Sequence, residues 1–167
     1  MKKIILILVP LLFLVSCKTE GFPQKQYDKA YEQLINQDYS KASKSFEKIL
    51  KNKSEYPEIW FNYGCCLMET NQFSESIEAF TKTTELYENS VMYDDKLGLK
   101  HDAMTSIGEV YLLQKDFENA EKQFEKCLAE KKDREMINAI LAVYIRLGFV
   151  DEAEEYFNDK GINIWMM

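Results

Sequence analysis

The chain has one histidine, six glycines, three prolines and four cysteines in 167 residues, and no two cysteines form a C-x-x-C pair. Each scarcity removes a class of function. A lone imidazole, His101, has no partner at metal-ligand spacing, so a His-anchored zinc site is excluded. Without C-x-x-C there is no thioredoxin-type redox centre. No glycine-rich phosphate loop and no nucleophile elbow occurs, which removes the nucleotide-cradling and serine-hydrolase readings. Alternating apolar and polar runs are missing, so strands have no signature. The longest apolar run, Ile4 to Val15, is about twelve residues, and a helix needs ~20 to cross roughly 30 Å of hydrocarbon. The expectation is a protein that is not an enzyme and holds no cofactor or metal.

What is present begins at the N-terminus. MKKIILILVPLLFLVSC has a basic start, a short apolar stretch interrupted by Pro10, and a small residue before Cys17, the pattern of a secretory signal. Leu14-Val15-Ser16-Cys17 resembles the lipobox of bacterial lipoproteins at all four positions. That resemblance implies a signal peptide over residues 1–16, cleavage before Cys17 and lipidation of its thiol, with acyl chains anchoring the protein in a membrane. An ordinary signal, or an uncleaved anchor that contains a cysteine, is the alternative. Residues 17–25 then make a lipidated cysteine and short tether, in which Lys18 to Lys25 span under roughly 30 Å when extended. The expected location is the cell envelope, at the outer membrane facing the periplasm. Loss of Lys2 and Lys3 takes the formal charge from −7 to −9. So acidic a body argues against nucleic acid, and against anionic membranes, as partners of the protein surface.

A period runs through the rest. Phe46, Phe80, Phe124 and Phe157 are spaced by 34, 44 and 33 residues, and four residues before each stands a small one, Ala42, Ser76, Ala120 or Ala153. Shortly before those come QDY, NQF, KDF and GFV, each ending in a bulky apolar residue. Earlier in the units a second small residue recurs at Ala30, Gly64 and Gly108, with Leu141 as the exception. Trp60, Tyr63, Gly64 and Leu67 fall at i, i+3, i+4 and i+7, as do Met104, Ile107, Gly108 and Tyr111. Ala42, Phe46, Ile49 and Leu50, at i, i+4, i+7 and i+8, mark a second helix. The chain is read as all-α, built of paired helices that bury their apolar faces only by stacking.

These units resemble the tetratricopeptide repeat (TPR), a helix–turn–helix motif of 34 residues. Trp60, Gly64, ETNQF and Phe80 carry the resemblance in one unit; Gly108, Tyr111, KDFENA and Phe124 carry it in the next. It implies a TPR α-solenoid of about four repeats over residues 26–160, with units near 23–56, 57–90, 101–133 and 134–160. Asn71 and Gly148 suit inter-helix turns that need positive φ, and Pro57 suits a first helical position. The 44-residue spacing leaves an insertion at about 87–100, expected to lengthen a helix pair rather than to project as a loop. The tail, 161–167, is expected to fold back over the last repeat.

The adjacent Cys65 and Cys66 lie on one helix, and side chains 100° apart cannot be bridged there. Cys127 takes a second-helix position that in this family is usually a buried alanine. All three are read as small apolar fillers.

The resemblance also implies that a protein or peptide segment docks along the concave face lined by the first helices. The positions carried over are Tyr27, Tyr31, Leu34, Phe61, Asn62, Cys65, Met68, Thr105, Glu109, Leu112, Asn138, Ala142 and Arg146. Asn62 matches the asparagine that touches ligand backbone in peptide-binding members. The basic clamp of carboxylate-end readers is absent, with Tyr27, Cys65 and Asp102 in its place. The first unit looks like the opening repeat of the BamD-type lipoprotein of the outer-membrane β-barrel assembly complex. Other TPR lipoproteins of the envelope recruit cell-wall enzymes. A groove whose aromatic residues hold a glycan or small molecule is the alternative function.

Overall fold

The computed structural model describes residues 21–89 and 98–166. Among them are eight α-helices and no strand: α1 (Gln24–Ile35), α2 (Tyr39–Leu50), α3 (Pro57–Glu69), α4 (Phe73–Glu88), α5 (Leu99–Leu113), α6 (Phe117–Glu130), α7 (Arg134–Leu147) and α8 (Val150–Asp159). The proposed signal, Cys17, and residues 90–97 of the insertion lie outside the described residues. On either side of that gap, α4 has 16 residues and α5 has 15, against 12 in both α1 and α2.

Each hairpin closes in the same way. Gln37, Asn71, Lys115 and Gly148 take φ of 62°, 59°, 58° and 82° just after the first helix. The next residue then sends its N–H back to the carbonyl five residues earlier: Asp38 to Gln33 O, Gln72 to Leu67 O, Asp116 to Tyr111 O and Phe149 to Tyr144 O, all at 2.9 Å. This is the Schellman closure, which satisfies carbonyls that the helix end would otherwise leave orphaned. Asn71 and Gly148 were legible from their side chains. Gln37 and Lys115 were not, because neither residue type favours the left-handed region.

All four register phenylalanines, Phe46, Phe80, Phe124 and Phe157, are fully buried, and so are Ala42, Ser76, Ala120 and Ala153 four residues before them. The small residues on the first helices make room for the rings. A Cβ on Gly64 would meet Phe80 at 2.9 Å, and one on Gly108 would meet Phe124 at 2.2 Å. Hydrogen bonds lock the same crossings. Ser76 Oγ donates to Gly64 O at 2.8 Å, and Gln123 Nε2 donates to Met104 O at 3.1 Å.

The order of packing fixes the curvature. Each even-numbered helix packs on its hairpin partner, and α2, α4 and α6 also pack on the helix that follows. The odd-numbered helices in addition meet one another, α1 on α3, α3 on α5 and α5 on α7. Helices that touch their counterparts in neighbouring hairpins crowd the inside of the curve; those that do not lie on its outside. The odd helices therefore line the concave layer.

At the C-terminal end, Ile162 N–H bonds Phe157 O at 2.9 Å after Gly161 (φ 69°). Ile162 and Ile164 pack, half-buried, against the last core cluster, while Trp165 is 68% exposed. The tail thus covers the array end with two isoleucines and leaves its indole in solvent.

Candidate functional site in the concave layer

At the N-terminal end the rings of Tyr27 and Tyr31 stack, with centroids 5.8 Å apart and planes at 11°. Tyr31 is 43% exposed and Tyr27 half-buried. Asn62 on α3 donates through Nδ2 to the Tyr27 hydroxyl and to Glu58 O, both at 2.8 Å. Burial raises the Tyr27 pKa, and the bond from Asn62 partly offsets it. Asn62 therefore ties α1 to α3. Beside it, Glu58 Oε2 is buried with no hydrogen-bond partner, an acceptor that sequence patterning gave no means of finding.

Farther along, Glu109 on α5 is 5% exposed and accepts two hydrogen bonds from Arg146 on α7, 2.5 Å from Nη1 and 2.7 Å from Nη2. The carboxylate holds the guanidinium above its usual pKa. This forked pair is the α5–α7 counterpart of the Tyr27–Asn62 link. Glu69 and Asp102 are exposed near Cys65, whereas Glu109 beside them is buried and paired with Arg146. Burial first, then the neighbouring Cys66 thiol and the carboxylates of Glu109, Glu69 and Asp102, push the Cys65 thiol up to about 12; Cys66 and Cys127 are raised to about the same value, mainly by burial. All three cysteines are unbridged, and Cys66 and Cys127 are fully buried. They fill space as thiols.

Several carried-over positions are corrected. Leu112 is fully buried in the core shared by α5 to α8 and offers nothing to a ligand. Thr105 is 7% exposed and turns its hydroxyl to His101 O and Asp102 O of its own helix. Phe61 lies 5.6 Å from Phe80, and Phe61, Cys65 and Met68 are all half-buried against the same cluster. The physical reason is that α5 packs on α3, α4, α6 and α7, so it has almost no free face. Tyr31, Asn138, Ala142 and Arg146 remain exposed, and Tyr27, Leu34, Asn62 and Cys65 are half-buried.

Models of the tetratricopeptide repeat match residues 57–90 and 101–134, the hairpins α3–α4 and α5–α6. Solved structures with a similar fold include the N-terminal domain of stress-induced protein-1 (STI-1) from C. elegans. It is 21% identical, with a TM-score of 0.60, over 72% of this chain and 92% of that one. A chain of the CopN-Scc3 complex has a TM-score of 0.59 at 18% identity, over 74% of this chain and 67% of that one. A chain from the functional characterisation of Pseudomonas aeruginosa pilF has 0.56 at 17%, over 83% of this chain and 60% of that one. No curated protein matched the chain in sequence. The fold is a TPR α-solenoid.

Proposed function

We propose that the protein is a lipid-anchored adaptor of the bacterial envelope, tethered through Cys17, that holds a segment of another protein along its odd-numbered helices. The observation that supports this reading is the composition of the concave layer. A stacked tyrosine pair with Tyr31 exposed stands at one end, the exposed carboxylates of Glu69 and Asp102 follow, and Asn138, Ala142 and Arg146 lie exposed beyond them, while Glu109 is buried and already paired with Arg146. TPR proteins generally bind protein or peptide segments in this layer, and one similar solved structure, CopN-Scc3, is itself a complex. The complement of this surface is a segment with basic residues against the centre and an apolar or aromatic anchor against the tyrosines.

Within the envelope two roles fit this reading, outer-membrane protein assembly and recruitment of cell-wall enzymes, and no residue of the chain separates them. Two experiments test the reading. Metabolic palmitate labelling should mark the wild-type chain and not Cys17→Ala. Co-purification from detergent-solubilised envelopes should return either β-barrel assembly subunits or cell-wall enzymes, which decides between the two roles; the return of neither would overturn the adaptor reading, and an unlabelled wild type would remove the anchor.

A further inference from the structure

The net acidity of the chain is an average over two unlike parts. Residues 21–56 hold seven lysines and five carboxylates, a balance of +2; residues 57–167 hold eleven lysines and arginines against 22 carboxylates, a balance of −11. The first hairpin is the basic pole of an acidic molecule.

A cavity of about 590 Å³ opens on that pole, lined by Gly21, Pro23, Gln26, Lys29, Ser45, Lys48, Ile49, Asn52 and Lys53. The volume is that of a small-molecule site. Its lining contains three lysines, the polar side chains of Ser45, Gln26 and Asn52, and no carboxylate. Elsewhere on the hairpin Lys41 pairs with Asp38 at 2.9 Å and Lys51 with Glu47 at 3.1 Å, while Lys25 and Lys44 make no ion pair among the described residues. Lys29 and Lys48 are exposed and make no ion pair among the described residues. The dipoles do not decide the sign here. The first turn of α1 lends its positive end through Gln26, and the last turn of α2 lends its negative end beside Ile49, so the two roughly offset. The ammonium groups set the field.

We propose that this cavity binds a phosphate-bearing anion. Two ammonium point charges suit the oxygens of a phosphate, and Ser45, Gln26 and Asn52 bring further polar groups to the same space. Ser45 Oγ already donates its hydrogen to Gln33 Oε1 at 2.7 Å, so toward the cavity it can only accept. That leaves the lysines and the amides as the anion's donors. The carrier of the phosphate is a lipid headgroup or a soluble ion. Gly21 on the rim stands four residues after Cys17, at most about 14 Å of extended chain, so an anchored protein would hold the opening close to the headgroups.

The test uses the full chain in detergent micelles with inorganic phosphate, followed by NMR of the lysine side chains. In parallel, the full chain is floated on phosphatidylcholine vesicles with and without phosphatidylglycerol, the difference between the two being the readout. K29Q/K48Q, at exposed positions, should weaken the response about thirty-fold. K41Q/K51Q makes the same charge change on the same hairpin outside the cavity and should weaken it less than about threefold. Saturable binding in both arms supports a phosphate site open to either carrier. A response to anionic vesicles alone assigns a headgroup, and one to inorganic phosphate alone assigns a soluble ligand. The soluble arm does not depend on lipidation of Cys17, so failure of the anchor and failure of the cavity are told apart. No saturable binding in either arm, or equal losses from the two double variants, overturns the proposal.

Discussion

The ring of Phe124 lies over Gly108 so closely that a Cβ on residue 108 would stand 2.2 Å from Cε1 and 2.7 Å from Cζ. Phe124 is fully buried, so the ring has nowhere to retreat. The same relationship is looser one repeat earlier, where a Cβ on Gly64 would stand 2.9 Å from Phe80. Alanine gains up to about 1 kcal/mol of helix propensity over glycine, whereas overpacking costs about 1–3 kcal/mol. Gly108→Ala is therefore expected to lose about 1–2 kcal/mol, and Gly64→Ala to stay within about 1 kcal/mol of wild type. Urea unfolding gives the order, and a Gly108→Ala midpoint equal to wild type would count against the packing described.

The forked pair between Glu109 and Arg146 supports a sign test. Arg146 keeps 57% of its side-chain surface exposed, so its loss costs less than the loss of a fully buried partner. Arg146→Ala is expected to cost about 1–2 kcal/mol, because it leaves a carboxylate at 5% exposure without its cation. Glu109→Gln/Arg146→Ala should be more stable than Arg146→Ala alone, since the orphaned charge is gone. A double-mutant cycle by thermal unfolding measures it.

The left-handed turns predict opposite effects for one pair of changes. Lys115 adopts φ 58° at a cost that glycine avoids, while Gly148 at φ 82° would bring that cost on with any side chain. Lys115→Gly should stabilise by up to about 1 kcal/mol, and Gly148→Ala should destabilise by about 1 kcal/mol. Equal and same-signed shifts in melting temperature would contradict the shared Schellman geometry.

The cysteines make a pH prediction. Folding raises the thiols of Cys65, Cys66 and Cys127 to about 12, and an unfolded thiol titrates near 8.5. The unfolded chain therefore loses protons first as pH rises, so stability is fully present below about pH 8.5 and falls between there and about 12. In the folded protein at neutral pH, iodoacetamide should label Cys65, Cys66 and Cys127 far more slowly than in urea. Fast labelling of native Cys66 or Cys127 would contradict their full burial.

Much of the fold could be read before any coordinates because the spacing of Phe46, Phe80, Phe124 and Phe157 is a packing constraint. A ring every hairpin, facing a small residue, has one stacked solution, and all four rings are buried. The site was less legible. Period 3.6 separates an apolar stripe from the rest of a helix, but it cannot tell an inner face from a second core face. On α5, packed against four other helices, that ambiguity consumed Thr105 and Leu112. On α3 it leaves Phe61 and Met68 half-buried, sharing their surface between the Phe80 cluster and solvent. The Tyr27–Asn62 and Glu109–Arg146 links span 35 and 37 residues, one repeat each. They need the stacking itself before the partners can be known, as does the orphaned oxygen of Glu58.

Site-specific photo-crosslinking of the full-length chain in living cells tests the docking face most directly. A photoreactive residue at Tyr31 or Asn138, on the odd helices, should trap the same partner protein, and one at Glu78 or Lys122, on the even helices, should not. Crosslinks of equal yield from both faces, or from Glu78 and Lys122 alone, would contradict a concave docking layer.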